Sequence, residues 1–153
     1  MVAIAHKPAG TTERQLVTFR LGELLLGIDI RCVREINRLF DITPVPDAPP
    51  LVTGVVNLRG EVVTVVDLRT ILELPATEIT PRTRLMIVQS DDEAIGLLVD
   101  RVADVATVLS AEEEPLPANV GAIDSRFFTG VYRVGSDLLV VLDVAAALAL
   151  TDN

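Results

Sequence analysis

The sequence predicts a mainly β protein built from two small barrels packed on each other, and three observations carry that reading. Half of the 153 residues are hydrophobic, nearly all of them aliphatic, with 3% aromatics and no Trp. A composition rich in Val and Ile favours pleated strands over helices. From Leu16 onward, short apolar runs are punctuated by Gly, Pro and Asp at the spacing of an all-β sandwich or barrel. Third, the chain repeats itself: TGVVNLRGEVVTVVDLRTIL from Thr53 aligns without gaps to TGVYRVGSDLLVVLDVAAAL from Thr129. Upstream, LLLGIDIRCVREI matches AIGLLVDRVADV, and Pro44-Val45-Pro46 matches Pro115-Leu116-Pro117.

The repeat divides the chain into two units of about 70 residues, near the lower size at which one core supports itself. One barrel is expected over residues 16–80 and the other over 81–150, with the first strand a candidate for exchange between them. Residues 1–13 lack periodicity and read as a flexible N-terminal tail, and residues 151–153 as a short C-terminal one.

In chain order the runs LVTFRL, LLLGIDI, VTGVVNL, EVVTVVDL, RLMIVQ, AIGLLVD, FFTGVYRV and DLLVVLDV read as strands. Turn chemistry joins them at Leu21-Gly22-Glu23, Arg59-Gly60-Glu61, Ser90-Asp91-Asp92-Glu93 and Gly135-Ser136-Asp137. Leu68–Leu74 and Val144–Leu150 follow equivalent strands and hold good helix formers, so a short helix is expected to close each repeat. The Pro-rich segments Ile42–Pro50 and Glu114–Pro117 cannot continue a ladder and read as loops.

Composition also excludes function classes. Charges, Gly or Pro interrupt every apolar stretch before the roughly 18 residues that a membrane-spanning helix needs. No secretory signal opens the chain and the single Cys32 has no internal disulfide partner, which predicts a cytoplasmic protein. A net charge of −9 repels polyanions, so nucleic acid is not an expected partner, and charge and the missing aromatic platform disfavour a small-ligand- or RNA-binding barrel pair. One His and one Cys offer no metal site, His6 sits in the tail where it can serve no nucleophile, and neither phosphate-cradling glycine motif occurs. No cofactor or metal is expected. The strand-end carboxylates Asp29, Asp67, Asp100 and Asp143 leave open an Asp-dependent hydrolase, but Asp67 and Asp143 occupy equivalent repeat positions, which favours turn and helix capping. Glu112-Glu113-Glu114 reads as a solvated acidic loop.

The repeat directs the search for function to positions where one copy carries a residue that the other lacks. Asn57 faces Arg133, Arg59 faces Gly135, Arg69 faces Ala145 and Val56 faces Tyr132. An Arg at a turn tip is a recognition residue or the partner of a nearby carboxylate. Val33 and Ile36 flank Glu35 and read either as core or as an exposed apolar stripe that docks a partner.

The order GIDIRCVREI, ITPVPDAP, GVVNLRGEVVTVVDLR, GLLVDRVADV, FFTGV, LLVVLDV closely resembles the CheW family of chemotaxis coupling proteins, from Leu16 to Leu150. That resemblance implies a CheW-like domain over residues 14–150, with two five-stranded, SH3-like barrels and no enzymatic activity. It also implies an adaptor joining the cytoplasmic tips of methyl-accepting chemotaxis receptors to the regulatory domain of a CheA-type histidine kinase, recruited to membrane-associated arrays without inserting in the bilayer. The family's contact residues map onto Val33, Glu35, Ile36, Asn57 and Arg59, and its glycines onto Gly54, Gly96 and Gly130, which read as structural. A paralogous adaptor of pilus motility or of another receptor–kinase system is the neighbouring reading. Tyr132-Arg133 and the three consecutive glutamates depart from the family pattern.

Overall fold

The computed structural model describes residues 11–38, 41–117 and 125–149. The first half contributes β1 (Glu13–Leu21), β2 (Leu24–Asp29), β3 (Val33–Asn37), β4 (Val52–Leu58), β5 (Glu61–Val66) and the short helix α1 (Leu68–Ile71). The second half repeats that set as β6 (Arg84–Ser90), β7 (Glu93–Val99), β8 (Arg101–Leu109), β9 (Phe128–Val134), β10 (Asp137–Leu142) and α2 (Val144–Ala149). Because β1 starts at Glu13, the expected N-terminal tail is shorter than 13 residues; residues 1–10 and 150–153 lie outside the described residues.

The strands form two five-stranded sheets, ordered β8-β1-β2-β10-β9 and β3-β6-β7-β5-β4. With the strands of each half numbered one to five, both sheets run third, first, second, fifth, fourth, and in both the first and second come from the other half. The two halves therefore exchange their opening hairpins. A division near residue 80 separates the sequence repeats but not the sheets, and the exchanged unit is a hairpin rather than the first strand alone. Each exchanged hairpin meets its host through one antiparallel edge and one parallel edge, β2 on β10 and β7 on β5.

Strands in the middle of these sheets are covered on both faces, which explains their unbroken apolar runs. Leu85, Met86, Ile87 and Val88 of β6 are all buried, as are Leu139 to Leu142 of β10. One face fills a core shared between the sheets, with Phe19, Leu26 and Ile28 meeting Met86, Val88 and Leu97. The opposite faces fill a smaller core inside each sheet's curl, Leu16 with Tyr132 and Leu139 in one, Val65 with Leu85 and Ile87 in the other.

All four expected tight turns are two-residue hairpin loops, fixed by the pairs Leu21↔Leu24, Leu58↔Glu61, Ser90↔Glu93 and Val134↔Asp137. Each places a residue in the left-handed region that such loops require, Gly22, Arg59, Asp91 and Gly135 in turn. The Pro-rich loops each lend one residue to an edge strand, Thr43 pairing with Val55 and Glu114 with Val131. That approach is what the glycines beside them accommodate: a Cβ on Gly54 would collide with the Thr43 carbonyl oxygen, and one on Gly130 would lie 2.8 Å from that of Glu114.

Both helices begin as their Asp residues suggest. The Asp67 side chain accepts a hydrogen bond from the Arg69 backbone N–H (3.0 Å), and that of Asp143 from Ala146 N–H (3.2 Å). The first helix is shorter than Leu68–Leu74 because its last N–H groups reach back to Leu68 and Arg69 before Pro75 ends the turn.

Candidate docking surface

β3 and β4 are the two edges of their sheet, and the sheet curls until β3 meets the β4–β5 turn. The chain enters β3 through a single helical turn, Ile30–Cys32, where the Asp29 carboxylate accepts from Arg31 N–H at 2.9 Å and from its guanidinium at 2.8 and 3.0 Å. Arg31 thereby holds the Asp29 carboxyl below the usual carboxylate range. Along β3 the pairing steps from Val33↔Val88 to Glu35↔Ile87, so Arg34 is an extra, bulged residue. A bulge re-aims side chains next to it. Here it lets two consecutive residues reach one hairpin: Arg34 Nη2 lies 2.7 Å from Glu61 Oε1, and the Glu35 carboxylate pairs with the Arg59 guanidinium.

The turn itself is unusual in its chemistry. Arg59 and Gly60 have φ of 53° and 90°, the positive pair of a type I′ loop, and Asn57 Oδ1 accepts from Gly60 N–H at 2.9 Å. The first position normally belongs to Asn, Asp or Gly because a Cβ is strained there. The second repeat has Gly135 at the aligned position, and Arg59 keeps the strain.

The result is a row of alternating charge, Glu61, Arg34, Glu35, Arg59, with Arg34 Nε also 3.9 Å from Glu35. Hydrogen bonding from Arg59 lowers the Glu35 pKa, and hydrogen bonding from Arg34 lowers that of Glu61. On the opposite face of the same strands Ile36, paired with Met86, is 39% exposed and Val62, opposite Asn57 across the β4–β5 ladder, is 65% exposed. A partner on the face of the charged row would meet oriented guanidinium and carboxylate groups, which suits directional protein recognition.

The structure joins Glu35 to Arg59 and holds Asn57 in the same turn, while Ile36 projects from the opposite face of β3. Val33 differs: it is half-buried and packs on the core between the sheets, so of the two residues flanking Glu35 one is core and the other exposed. Arg34 and Glu61 belong to the Glu35–Arg59 row and escape the sequence reading, as does the exposed Val62. Period-two alternation from the buried Val63 and Val65 points Val62 outward, but EVVTVV looks like a run buried on both faces. Gly54, Gly96 and Gly130 lie elsewhere, in close-packed backbone; a Cβ on Gly96 would sit 2.9 Å from Leu85 Cδ1.

The other repeat-specific arginine has a different role. Arg69 is buried, donates to the Pro75 carbonyl at 2.8 Å and pairs with Asp100, whose carboxylate also accepts from Gly22 N–H at 2.7 Å. It thus ties helix α1 to the crossing between β7 and β8 and to the β1–β2 turn. With Asp67 and Asp143 capping helices and Asp29 holding Arg31, all four strand-end carboxylates serve backbone or arginine groups. Among the described residues no cluster of His, Cys, Asp and Glu has the makings of a metal site. The acidic loop is less solvated than its sequence suggests: Glu113 pairs with Arg14 at 3.2 Å and Glu114 with Arg133 at 2.9 Å. Tyr132 is buried and its hydroxyl has no hydrogen-bond partner among the described residues; burial pushes its pKa up. No helix among the described residues is long and apolar enough to cross a membrane.

The CheW-like domain profile matches residues 15–151. The chemotaxis protein CheW of Treponema pallidum (strain Nichols) is 35% identical over 134 residues, 85% of this chain and 79% of the relative. Protein FrzA of Myxococcus xanthus is 34% identical over 105 residues, 69% of this chain and 66% of that protein. The crystal structure of the scaffolding protein TtCheW from Thermoanaerobacter tengcongensis superposes with a TM-score of 0.79 at 30% identity, covering 86% of this chain and 90% of that one. With the interleaved pair of SH3-like sheets, these likenesses show that the chain belongs to the CheW-like family and is a non-enzymatic scaffold protein.

Proposed function

We propose that this protein couples the cytoplasmic tips of methyl-accepting chemotaxis receptors to the regulatory domain of a CheA-type histidine kinase, as a cytoplasmic adaptor recruited to membrane-associated receptor arrays. The observation that carries the reading is the Glu35–Arg59 pair. Two residues 24 positions apart, each on a separate family motif, meet on one exposed surface. One of them occupies a left-handed turn position that the second repeat gives to glycine. A barrel needing only a tight turn has no use for an arginine there. On this reading Glu35 and Arg59 supply directional, charge-complementary contacts, Ile36 the apolar one, Asn57 holds the turn, and Val33 supports the strand from the core side. Coupling then needs two partners held at once, and no covalent chemistry by this chain.

The test is reconstitution of the purified chain with its genome's CheA-type kinase and a receptor cytoplasmic fragment, following kinase autophosphorylation. Receptor-dependent activation should appear only when the chain is present and fall with Arg59→Gly. Failure to bind either folded partner would sink the adaptor reading. The likeness to Protein FrzA supports a second one, an adaptor of another receptor–kinase system, which activation of a non-chemotaxis kinase in the same assay would reveal.

A further inference from the structure

The chain carries a net charge of −9, and most of its arginines are occupied by carboxylates. Arg14, Arg20, Arg31, Arg34, Arg59, Arg69 and Arg133 are each paired with an Asp or Glu. Arg82, Arg84 and Arg101 have no carboxylate partner among the described residues, and these three line one open cavity of about 440 Å³ with Val102 as the remaining wall. An acidic protein that spends its carboxylates elsewhere and gathers three uncompensated guanidinium groups around one hollow has a local field opposite in sign to its overall charge.

The arginines are placed by rigid backbone. Arg84 opens β6 in one sheet and pairs in register with Val99; Arg101, two residues on, opens β8 in the other sheet, so the cavity lies where the chain crosses between sheets. Arg82 sits in a turn closed by Thr83 N–H on the Thr80 carbonyl at 3.1 Å, by Thr80 N–H on Thr83 Oγ1 at 2.9 Å and by its own N–H on Thr80 Oγ1 at 3.1 Å. The Arg84 Nη1 donates to the carbonyls of Pro81 (2.8 Å) and Thr83 (2.9 Å), which fixes the guanidinium plane. Among the described residues its Nε and Nη2 donate to no protein group. The register that sets Asn37 opposite Leu85 carries Arg38, exposed and without a carboxylate partner among the described residues, toward the same end of β6.

We infer that this cavity binds a short acidic segment of a partner protein, with two or three carboxylates received by Arg82, Arg84 and Arg101 and an apolar side chain resting on Val102. Guanidinium forks match carboxylates in a directional way that lysine cannot. The cavity is of the size that holds several side chains, larger than a lone ion needs. Long polyanions and anionic bilayers reach far enough to feel the chain's net charge of −9, and a short segment confined to the hollow would not. The site is separate from the Glu35–Arg59 surface and does not depend on the adaptor reading.

The experiment uses the full chain and fluorescein-labelled hexaglutamate, read by anisotropy at several salt concentrations. Binding should weaken as salt rises. Arg101→Gln alone, an exposed position, should weaken it about threefold and Arg82→Gln/Arg84→Gln/Arg101→Gln together at least about tenfold, as for partly exposed charge pairs. Arg133→Gln should leave it unchanged. Thermal melts of the variants matching the parent show that the fold is kept, and on the parent the amide resonances of residues 82–84 and 101–102 should move on titration. Unchanged hexaglutamate affinity in the triple variant, or resonance shifts elsewhere only, overturns the proposal. So does displacement of the peptide by stoichiometric inorganic phosphate, or tighter arginine-dependent binding to phosphatidylserine vesicles.

Discussion

Glu35 shows how a single side chain reports on the surface around it. Its hydrogen bond from Arg59 stabilises the carboxylate, so its pKa lies below the ordinary 4.5. A depressed carboxyl pKa contributes stability above the unfolded value and loses it as pH falls through the folded value. The Glu35–Arg59 pair is therefore intact at neutral pH and opens only under acid, below the ordinary glutamate range. Carboxyl NMR titration should place Glu35 below 4.5, and Arg59→Gly should move it back up. The same substitution relieves the left-handed strain at position 59, so its melting temperature should equal or exceed that of the parent even as partner coupling falls. A lower melting temperature would mean that Arg59 is kept for the fold.

Among the elements, two of the four edge strands, β3 and β8, were the hardest to read. β3 and β8 carry Arg34 and Glu35, Arg101 and Asp104, and are partly open on both faces, so neither shows the apolar run that marks β6 or β10. The four hairpins were legible because two-residue loops demand residues that tolerate positive φ, and Gly, Asp or an Arg-Gly pair stood at each. Glu35 and Arg59 were legible singly, from motif and repeat. Their meeting was not, because it depends on the bulge at Arg34, and nothing local in VREIN marks one. Arg69 misled in the opposite direction: absence from the other repeat suggested recognition, whereas it clasps α1 to the β7–β8 crossing. Replacing a buried arginine strands its partner and its carbonyl contact. Arg69→Met should thus destabilise the protein by about 2 kcal/mol in urea unfolding, reduced from the fully buried case because Asp100 reaches solvent.

For the whole molecule, the exchange of opening hairpins decides what counts as a folding unit. Neither sheet can be completed from one half of the sequence, since each takes its first two strands from the other. A polypeptide ending near residue 80 and another beginning there should each fail to give a folded monomer. Mixed, they should form a 1:1 complex with the circular-dichroism spectrum of the intact chain. A cooperative melt from either piece at monomer mass would contradict this. The sequence offered the first strand as a candidate for exchange but not the whole hairpin, because pairing between distant strands leaves no local mark, even though the repeat that makes it possible was plain.

That topology also carries a history. Both sheets have the same strand order with the same hairpin traded, which is the arrangement two identical chains adopt when they swap a segment across a two-fold axis. An ancestor encoding one repeat would have had to pair with a copy of itself before either sheet closed. Joining two such copies in one chain removes the need for two molecules to find each other, and leaves each copy free to differ. Arg59 could arise in one copy while glycine stayed in the other, giving a lopsided protein from a symmetric frame.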